Sequence, residues 1–298
     1  MRILDASAAS HDVEQLGFEP ELLEEFKTIL SQPHGIIVVT GPTGSGKSTT
    51  LYSALNYVKD PTKNITTVED PVEYRLAGIN QIQVKPEIDL DFAQCLRAIL
   101  RQDPDIILIG EIRDKETVEI AIKASLTGHL VLSTFHTNDA PSAISRLLYM
   151  GVERYLLASS LNLIIAQRLV RKICDHCKEP ITLSEEVLKR LGIDPKQAKD
   201  SVFYQGKGCT ACGEMGYLGR LPIFEFFGLV EDNTENYQDK NKPDDVDNIV
   251  AENIVKRHKS PCKGRQLPQM TYLVIFESKG LHLFLSMRHP QEPQKAGE

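Results

Sequence analysis

One stretch, residues 35–50 with the sequence GIIVVTGPTGSGKSTT, constrains the fold of this chain more than any other. Residues 36–39 form a short β-branched run, which is typical of a buried parallel strand. The run leads into residues 41–48, which fit G-x-x-x-x-G-K-[ST], the pattern of a loop whose backbone N–H groups surround phosphate oxygens. The amphipathic residues that follow predict a helix whose N-terminus favours anions. A glycine-rich turn without a ligand is the alternative, and the complete pattern argues against it.

Two side chains at the end of this loop have the chemistry that a nucleotide requires. Lys47 is placed to reach the β- and γ-phosphates, and the Ser48 hydroxyl is placed to ligate Mg²⁺. The sequence therefore predicts a site for a nucleoside triphosphate and Mg²⁺.

The composition of the 298-residue chain, 41% hydrophobic and 25% charged, is that of a soluble globular protein. Its net charge of −7 gives no reason to expect direct nucleic-acid binding. The first residues lack the basic and apolar regions of a signal peptide, and no apolar run approaches the roughly 20 residues that span a bilayer. We therefore expect a cytoplasmic protein with no transmembrane segment, which is compatible with docking on a membrane partner.

Carboxylates follow two predicted strands. Glu69, Asp70 and Glu73 come after a strand at residues 64–68, and Glu111 comes after a buried strand at residues 105–110. The carboxyl edge of an open α/β sheet is where ligands bind, so these acids are placed to ligate Mg²⁺, directly or through water, or to polarise a nucleophilic water. For the first group, a solvated acidic turn is an equally good interpretation.

Basic side chains near these strands have two interpretations each. Arg97 and Arg101 lie four residues apart on one polar face of a predicted helix, where they are either solvated or reach the phosphates of a neighbouring subunit. A lone histidine is more often structural than catalytic, but His136 follows a strand at residues 129–134 on the same edge as the phosphate loop, which also places it to sense the γ-phosphate. His129 enters that strand and is equally well explained as a structural histidine.

Apolar spacing predicts helices throughout the chain. Asp114 is the expected N-cap of one of them. The predicted ranges are residues 20–30, 89–102, 115–126, 139–150, 153–170 and 184–191.

Two C-x-x-C pairs, Cys174 with Cys177 and Cys209 with Cys212, supply four thiolates. Tetrahedral zinc takes four such ligands, and a site closed by four cysteines is structural rather than catalytic. The alternatives are four unrelated thiols or a redox function, which needs one exposed pair of low pKa rather than two pairs.

Five motifs occur together in a specific order: GPTGSGKSTTLY, TVEDPVEY, RQDPDIILIGEIRDKET, TGHLVLSTFHTNDA, and the four-cysteine module followed by GRLPIFEF. In this order they resemble the secretion-type ATPases that drive type II secretion and type IV pilus assembly (the GspE/PilB family). The resemblance covers residues 1 to about 227, and the remaining residues carry no motif that we recognise.

The resemblance implies an α/β fold, with a RecA-like P-loop NTPase core around a central, mostly parallel sheet and a small four-cysteine zinc-binding module. It divides the chain into a remnant linker and leading helix at residues 1–34, the ATPase core at 35–170, the zinc module and following strand at 171–227, and an unassigned divergent or disordered tail at 228–298.

The resemblance also implies site residues, with ATP, Mg²⁺ and Zn²⁺ as cofactors. Catalysis falls to Lys47, Glu69, Glu111 and His136, with Arg97, Arg101 and Arg113 as candidates for charge stabilisation or coupling. Asp70, Glu73 and His129 contribute to the nucleotide site, and Ser48 binds Mg²⁺. The residues that hold the phosphates are Gly41, Pro42, Thr43, Gly44, Ser45, Gly46, Lys47, Ser48 and Thr49, and the zinc ligands are Cys174, Cys177, Cys209 and Cys212.

The implied function is that of an ATP-hydrolysing motor that polymerises pilins or pseudopilins. Such a motor is a homo-hexamer with ATP between subunits, and it acts at the inner membrane on a platform protein and other secretion or pilus components. Family members carry a domain upstream of the position of Met1 that completes the nucleotide site, so we expect Met1 to correspond to an internal residue of longer relatives.

Three other functions remain in view. The first is a truncated fragment that binds ATP and zinc without motor activity, and the second is an ATPase of competence and DNA uptake. The third, a kinase for a small acceptor, does not account for the acidic, histidine and zinc motifs together.

Overall fold

The structure is a computed structural model that describes residues 12–190, 201–228, 271–277 and 280–288. The chain divides into two compact units. The first unit contains the described residues up to Arg168 together with residues 222–228, and the second contains those of 169–221 and 271–288. Residues 1–11 and most of the predicted tail, including its acidic stretch at 231–252, lie outside the described residues.

The elements follow in chain order. The helices are α1 (Pro20–Leu30), α2 (Lys47–Val58), α3 (Phe92–Ile99), α4 (Lys115–Leu126), α5 (Ala140–Tyr149), α6 (Arg154–Ser160) and α7 (Glu185–Arg190). The strands are β1 (Gly35–Thr40), β2 (Ile65–Glu69), β3 (Asn80–Gln83), β4 (Ile106–Ile109), β5 (Leu130–Phe135), β6 (Leu161–Ile173), β7 (Lys178–Ile181), β8 (Ser201–Gly206), β9 (Tyr217–Gly228), β10 (Thr271–Glu277) and β11 (Gly280–Arg288).

A seven-stranded sheet in the order β3-β2-β4-β5-β1-β6-β9 forms the centre of the first unit. All neighbouring pairs from β3 to β6 are parallel. Thr40, the last residue of β1, is paired with Phe135, the last residue of β5. The carboxyl ends of the central strands therefore meet at one edge, and the phosphate loop leaves the sheet there. The expected α/β fold with a mostly parallel sheet is confirmed.

Helices cover both faces of this sheet. Ile36 and Val38 of β1 pack in a core that includes buried residues of α3, α4, α5 and α6. Ile37 and Val39 point the other way and pack with α1 and α2. Because successive strand residues alternate between faces, a continuous apolar strand is buried on both sides, as the β-branched run at residues 36–39 predicts.

The predicted helix at residues 153–170 is wrong over most of its length. Helix α6 ends at Ser160, and strand β6 begins at Leu161 and pairs in parallel with β1. A run of apolar residues without a clear period fits a buried strand as well as a buried helix. Here the segment forms a strand, because pairing with the edge of β1 leaves Leu163, Ile164 and Ile165 fully buried.

The second unit contains a four-stranded sheet in the order β10-β11-β8-β7. Strands β7 and β8 pair antiparallel, and so do β10 and β11. The last two strands lie within the tail at residues 228–298 that the sequence leaves unassigned. Among the described residues of both units, no helix combines the length and the apolar character needed to cross a bilayer.

Candidate functional site: a phosphate loop and a cysteine cluster

The phosphate loop joins the buried strand β1 to helix α2, which begins at Lys47. Gly41, Gly44 and Gly46 have φ angles of 148°, 78° and 90°. These values lie where residues with a side chain are strained. A Cβ atom added to Gly41 would lie 2.3 Å from the backbone oxygen of Gln167. At this position the loop therefore excludes every residue except glycine.

The ammonium of Lys47 is folded over the loop. Its Nζ donates hydrogen bonds to the backbone oxygens of Gly41 at 2.8 Å and Pro42 at 3.1 Å. Burial lowers the pKa of Lys47, and the negative charge of Glu111 opposes that shift. Glu111, the acid that follows β4, therefore interacts electrostatically with the lysine of the phosphate loop.

The loop contains a buried hydroxyl without a partner. Among the described residues, Ser45 Oγ is the buried side-chain oxygen or nitrogen that has no hydrogen-bond partner. Buried polar atoms are nearly always paired, so an orphan inside a glycine-rich loop fits a site for phosphate oxygens. Pro42, Thr43, Gly44 and Ser48 are exposed around it, and Thr49 is half-buried.

Four of the predicted residues form one cluster around the carboxylate of Glu111. His136 Nε2 lies 3.3 Å from Glu111 Oε2, and Arg113 forms an ion pair with the same carboxylate. Arg113 Nη2 also lies 3.6 Å from Asp70 Oδ2. The hydrogen bond to Glu111 raises the pKa of Arg113. The ends of β2, β4 and β5 thus bring Asp70, Glu111 and His136 together, as their positions after parallel strands predict.

Glu69 has a different environment from Glu111. It is buried, and its carboxylate accepts hydrogen bonds from the Tyr52 hydroxyl, from Thr67 Oγ1 at 2.5 Å and from Gln81 Nε2 at 3.1 Å. Burial, together with the hydrogen bond to Glu69, raises the pKa of Tyr52. Protein donors therefore occupy both oxygens of Glu69. Glu73, further along the same segment, is half-buried.

Three predicted residues lie away from this cluster. Arg97 is paired with Glu116 of α4, and Arg101 is exposed beyond the end of α3. His129 precedes β5, and its Nδ1 lies 2.8 Å from the backbone oxygen of Ala124. Because β5 runs parallel to β1, His129 lies at the sheet edge opposite the phosphate loop. Within this chain it does not reach the predicted nucleotide site.

Sequence reasoning missed two hydrogen bonds that support the loop. Thr50 Oγ1 donates to Gln167 Oε1 at 2.8 Å, and both side chains are buried. Thr40 Oγ1 accepts from the backbone N–H of Thr137 at 2.9 Å. Gln167 follows the apolar run of β6, so recognition of that run as a strand would have placed Gln167 at the same sheet edge as the loop.

The four paired cysteines of the second unit converge on one point. Cys174 Sγ and Cys209 Sγ are 3.9 Å apart, as are Cys177 Sγ and Cys212 Sγ, and Cys209 and Cys212 are separated by 3.7 Å. All four sulfur atoms lie within 4.8 Å of one another. Tetrahedral Zn–S bonds of about 2.3 Å place sulfurs ~3.8 Å apart, so the donor set fits Zn²⁺.

Backbone donors favour the thiolate form of Cys212, whereas burial raises the pKa of Cys177 to about 12. The N–H groups of Cys209 and Gly216 each lie 3.2 Å from Cys212 Sγ. Burial opposes ionisation of Cys212, but these donors outweigh it and lower the pKa of the thiol to about 7. Thiolate is the form that binds a metal ion. The neighbouring His176 is exposed and is not among the four clustered ligands.

Comparison with known proteins identifies the family. The model of the type II/IV secretion system protein family (T2SSE) matches residues 1–269. The chain belongs to this family. Curated relatives agree with the assignment. The type IV pilus assembly ATPase PilB of Myxococcus xanthus is 54% identical over 226 residues, which are 76% of this chain and 40% of that protein. The type II secretion system protein E of Dickeya dadantii is 51% identical over 232 residues, or 78% of this chain and 46% of that protein.

Solved structures of related proteins share the fold of this T2SSE-family chain. The crystal structure of the pilus retraction motor PilT with bound ADP aligns with a TM-score of 0.58 and 30% identity, over 87% of this chain and 60% of that one. The ATPase DotB of Legionella pneumophila aligns with a TM-score of 0.57 at 23% identity, over 83% of this chain and 57% of that one. The T2SSE chain spans less than half the length of the two curated relatives named above.

Proposed function

We propose that this chain is the ATP-hydrolysing core of a motor for type II secretion or type IV pilus assembly. The observation that carries the proposal is the shared sheet edge: the phosphate loop with Lys47 follows β1 there, and Glu111 and His136 follow the parallel strands β4 and β5 at the same edge. Family membership supports the class of activity, and the names of the relatives supply the two pathways.

In this proposal residues 41–49 bind the phosphates of ATP. The backbone N–H groups and the Ser45 hydroxyl supply hydrogen-bond donors, and Lys47 exchanges its two backbone partners for phosphate oxygens. Ser48, exposed in the first turn of α2, would hold Mg²⁺. When bound, Mg²⁺ neutralises charge that develops on the transferred phosphate.

Glu111 is the residue that we propose to orient the attacking water. Its carboxylate lies at the centre of the cluster, with His136 on one oxygen and Arg113 on the other. Glu69 is buried and its carboxylate accepts hydrogen bonds from side chains of α2, β2 and β3, so in this proposal it maintains the position of β2 relative to α2 and β3. Asp70 positions Arg113.

The remaining predicted roles depend on a second subunit. Arg97, Arg101 and His129 do not join the site of their own chain, so in this proposal they act on the neighbouring subunit of a homo-hexamer.

The four cysteines hold a structural Zn²⁺, consistent with their spacing. The ring would act at the inner membrane on a platform protein and on the pilus or secretion components. We also keep, as part of this proposal, the division of the chain into residues 1–34, 35–170, 171–227 and 228–298.

The test is ATP turnover per chain as a function of protein concentration. Lys47→Ala serves as the inactive blank, and Lys63→Ala, an exposed lysine outside the site, serves as the matched control. We expect turnover per chain to rise with concentration in the wild type and in Lys63→Ala, and to vanish in Lys47→Ala. Turnover equal to that of Lys47→Ala at every concentration contradicts the motor and supports the alternative, a fragment that binds ATP and zinc without motor activity.

A further inference from the structure

Residues 136–140, here called the strap, connect β5 to α5 across the edge of the first unit's sheet. Each of four strap residues contacts a residue at a different strand. His136 Nε2 lies 3.3 Å from Glu111 Oε2, which follows β4, and the N–H of Thr137 donates to Thr40 Oγ1 of β1 at 2.9 Å. Arg168 Nη2 of β6 donates to the oxygen of Asn138 at 3.4 Å, and the N–H of Ala140 donates to Glu225 Oε2 of β9 at 3.2 Å.

The order of these contacts follows the order of the sheet. The strands lie as β4-β5-β1-β6-β9, so from the end of β5 the strap contacts β4 on one side and then β1, β6 and β9 on the other. Few free backbone dihedral angles remain between these contacts in the strap. A displacement of the strap at Ala140 is therefore transmitted to His136 at its other end. Glu225 is the last of these points.

Glu225 completes the start of α5. The first three residues of α5 are Ala140, Pro141 and Ser142. Pro141 has no N–H group, and the N–H of Ser142 donates to Asp139 Oδ1 at 2.7 Å. The N–H of Ala140 is therefore the one backbone donor of these three that still needs an acceptor. Glu225 accepts that hydrogen bond. A carboxylate at a helix N-terminus is also favoured by the helix dipole. The side chain of Glu225 therefore fixes where α5 begins and, through it, the end of the strap.

We infer that Glu225 is a positioning residue for ATP hydrolysis, acting through the strap on the placement of His136 against Glu111. The inference rests on the proposed function. It gives a role to the GRLPIFEF motif, whose Glu225 has no part in nucleotide binding or in the cysteine cluster. A misplacement of a site residue by about 1 Å is enough to slow a reaction strongly, so an indirect contact is sufficient for a large effect.

A capping residue without any functional role would affect stability alone. A structural role and a positioning role are separated by the ratio of two affinities, one for a non-hydrolysable ATP analogue and one for ADP. Only the ATP analogue carries a γ-phosphate, which would lie at the His136 end of the strap. A purely structural role lowers both affinities equally or neither of them. A positioning role changes their ratio and lowers kcat more than it raises KM.

The experiment compares Glu225→Ala and Glu225→Gln with the wild-type full chain, and uses Glu24→Ala as an exposed control outside the strap. Fluorescently labelled ADP and ATP analogue give the two affinities, steady-state turnover gives kcat and KM, and thermal unfolding reports folding. For Glu225→Ala we expect kcat to fall about tenfold, which is near the lower end of the effect of one hydrogen bond to a charged group, and the analogue-to-ADP affinity ratio to fall at least threefold. Glu225→Gln keeps an acceptor oxygen and should retain most of the wild-type kcat.

The possible outcomes separate the two proposals. An unchanged affinity ratio in a folded Glu225→Ala chain overturns the positioning role, whatever its turnover. If Glu225→Ala does not fold, the same ratio measured on Glu225→Asp decides, because its shorter side chain keeps the charge but draws the acceptor back from the N–H of Ala140, and a ratio identical to the wild type overturns the inference. A wild-type chain that binds both nucleotides but never turns over ATP contradicts the proposed motor, while the ratio still tests the strap.

Discussion

The imidazole of His136 lies against the carboxylate of Glu111, with 3.3 Å between Nε2 and Oε2. The two residues follow the neighbouring parallel strands β5 and β4, and Arg113 pairs with the same carboxylate. Glu111 is therefore held in one orientation by two side chains. Orientation of a carboxylate is what a residue needs in order to align a water molecule for attack on a phosphate.

Glu111→Gln is expected to separate binding from hydrolysis. The amide keeps the size of the carboxylate but removes its charge, so we expect ADP affinity within about threefold of the wild type and a kcat that falls by about 10²-fold or more. Single-turnover ATP hydrolysis and labelled-ADP binding measure the two effects. Glu119→Gln, on the exposed face of α4, is the matched control. A Glu111→Gln chain with wild-type turnover would assign water activation to another acid.

Gly41→Ala and Gly44→Ala test the steric origin of the glycine pattern. Both positions have positive φ, but a Cβ at Gly44 meets nothing within 4 Å, whereas a Cβ at Gly41 meets the backbone oxygen of Gln167 at 2.3 Å. Backbone strain alone should cost Gly44→Ala about 1–2 kcal/mol. Gly41→Ala must also displace β6, so its free energy of unfolding in urea should fall further. Equal losses in the two variants would show that the contact with Gln167 is not rigid.

The phosphate loop, its helix and the strand before it were predictable because they depend on a local pattern. The predicted N-cap of α4 is confirmed in the same way, since Asp114 Oδ1 accepts from the N–H of Thr117 three residues later. The placement of Glu111 and His136 at one edge was also predictable, because each follows an apolar strand and parallel strands end together. To predict that Glu111 and His136 lie at one edge, it is enough to know that their strands are parallel; the order of the strands in the sheet is not needed.

The features that sequence reasoning missed depend on contacts between distant residues. Thr50 and Gln167 are 117 residues apart, and Ala140 and Glu225 are 85 residues apart. Nothing local distinguishes Glu225 from an ordinary strand residue until the sheet order places β9 beside β6. Glu69 and Glu111 look alike in sequence, yet Glu69 is buried and accepts three hydrogen bonds from side chains, whereas Glu111 is partly exposed beside Arg113 and His136. That difference arises from packing, which a residue pattern does not encode.

Removal of one cysteine is expected to abolish metal binding in the second unit. The purified chain should contain about one zinc ion, and Cys212→Ser should lose it, because a closed structural site needs all four thiolates. Cys95→Ser, at a buried thiol of α3 in the first unit, is the control and should keep the metal. Elemental analysis after dialysis against a chelator measures the content. A Cys212→Ser chain with unchanged zinc content would place the metal elsewhere.

Tyr52→Phe is expected to destabilise the chain in a pH-dependent way. The Tyr52 hydroxyl donates to the buried carboxylate of Glu69, and hydrogen bonds to charged groups contribute about 1.5–3 kcal/mol, so unfolding in urea at neutral pH should show a loss of that size. Because the pKa of Tyr52 is raised in the folded chain, the stabilising contribution is fully present below the ordinary phenol pKa of about 10 and is lost as the pH rises beyond it. The difference between wild type and Tyr52→Phe should therefore narrow above about pH 10. Tyr57→Phe, which changes an exposed ring, is the control and should not show this loss at neutral pH. A difference that stays constant across this range would mean that the phenol proton is not shared with Glu69.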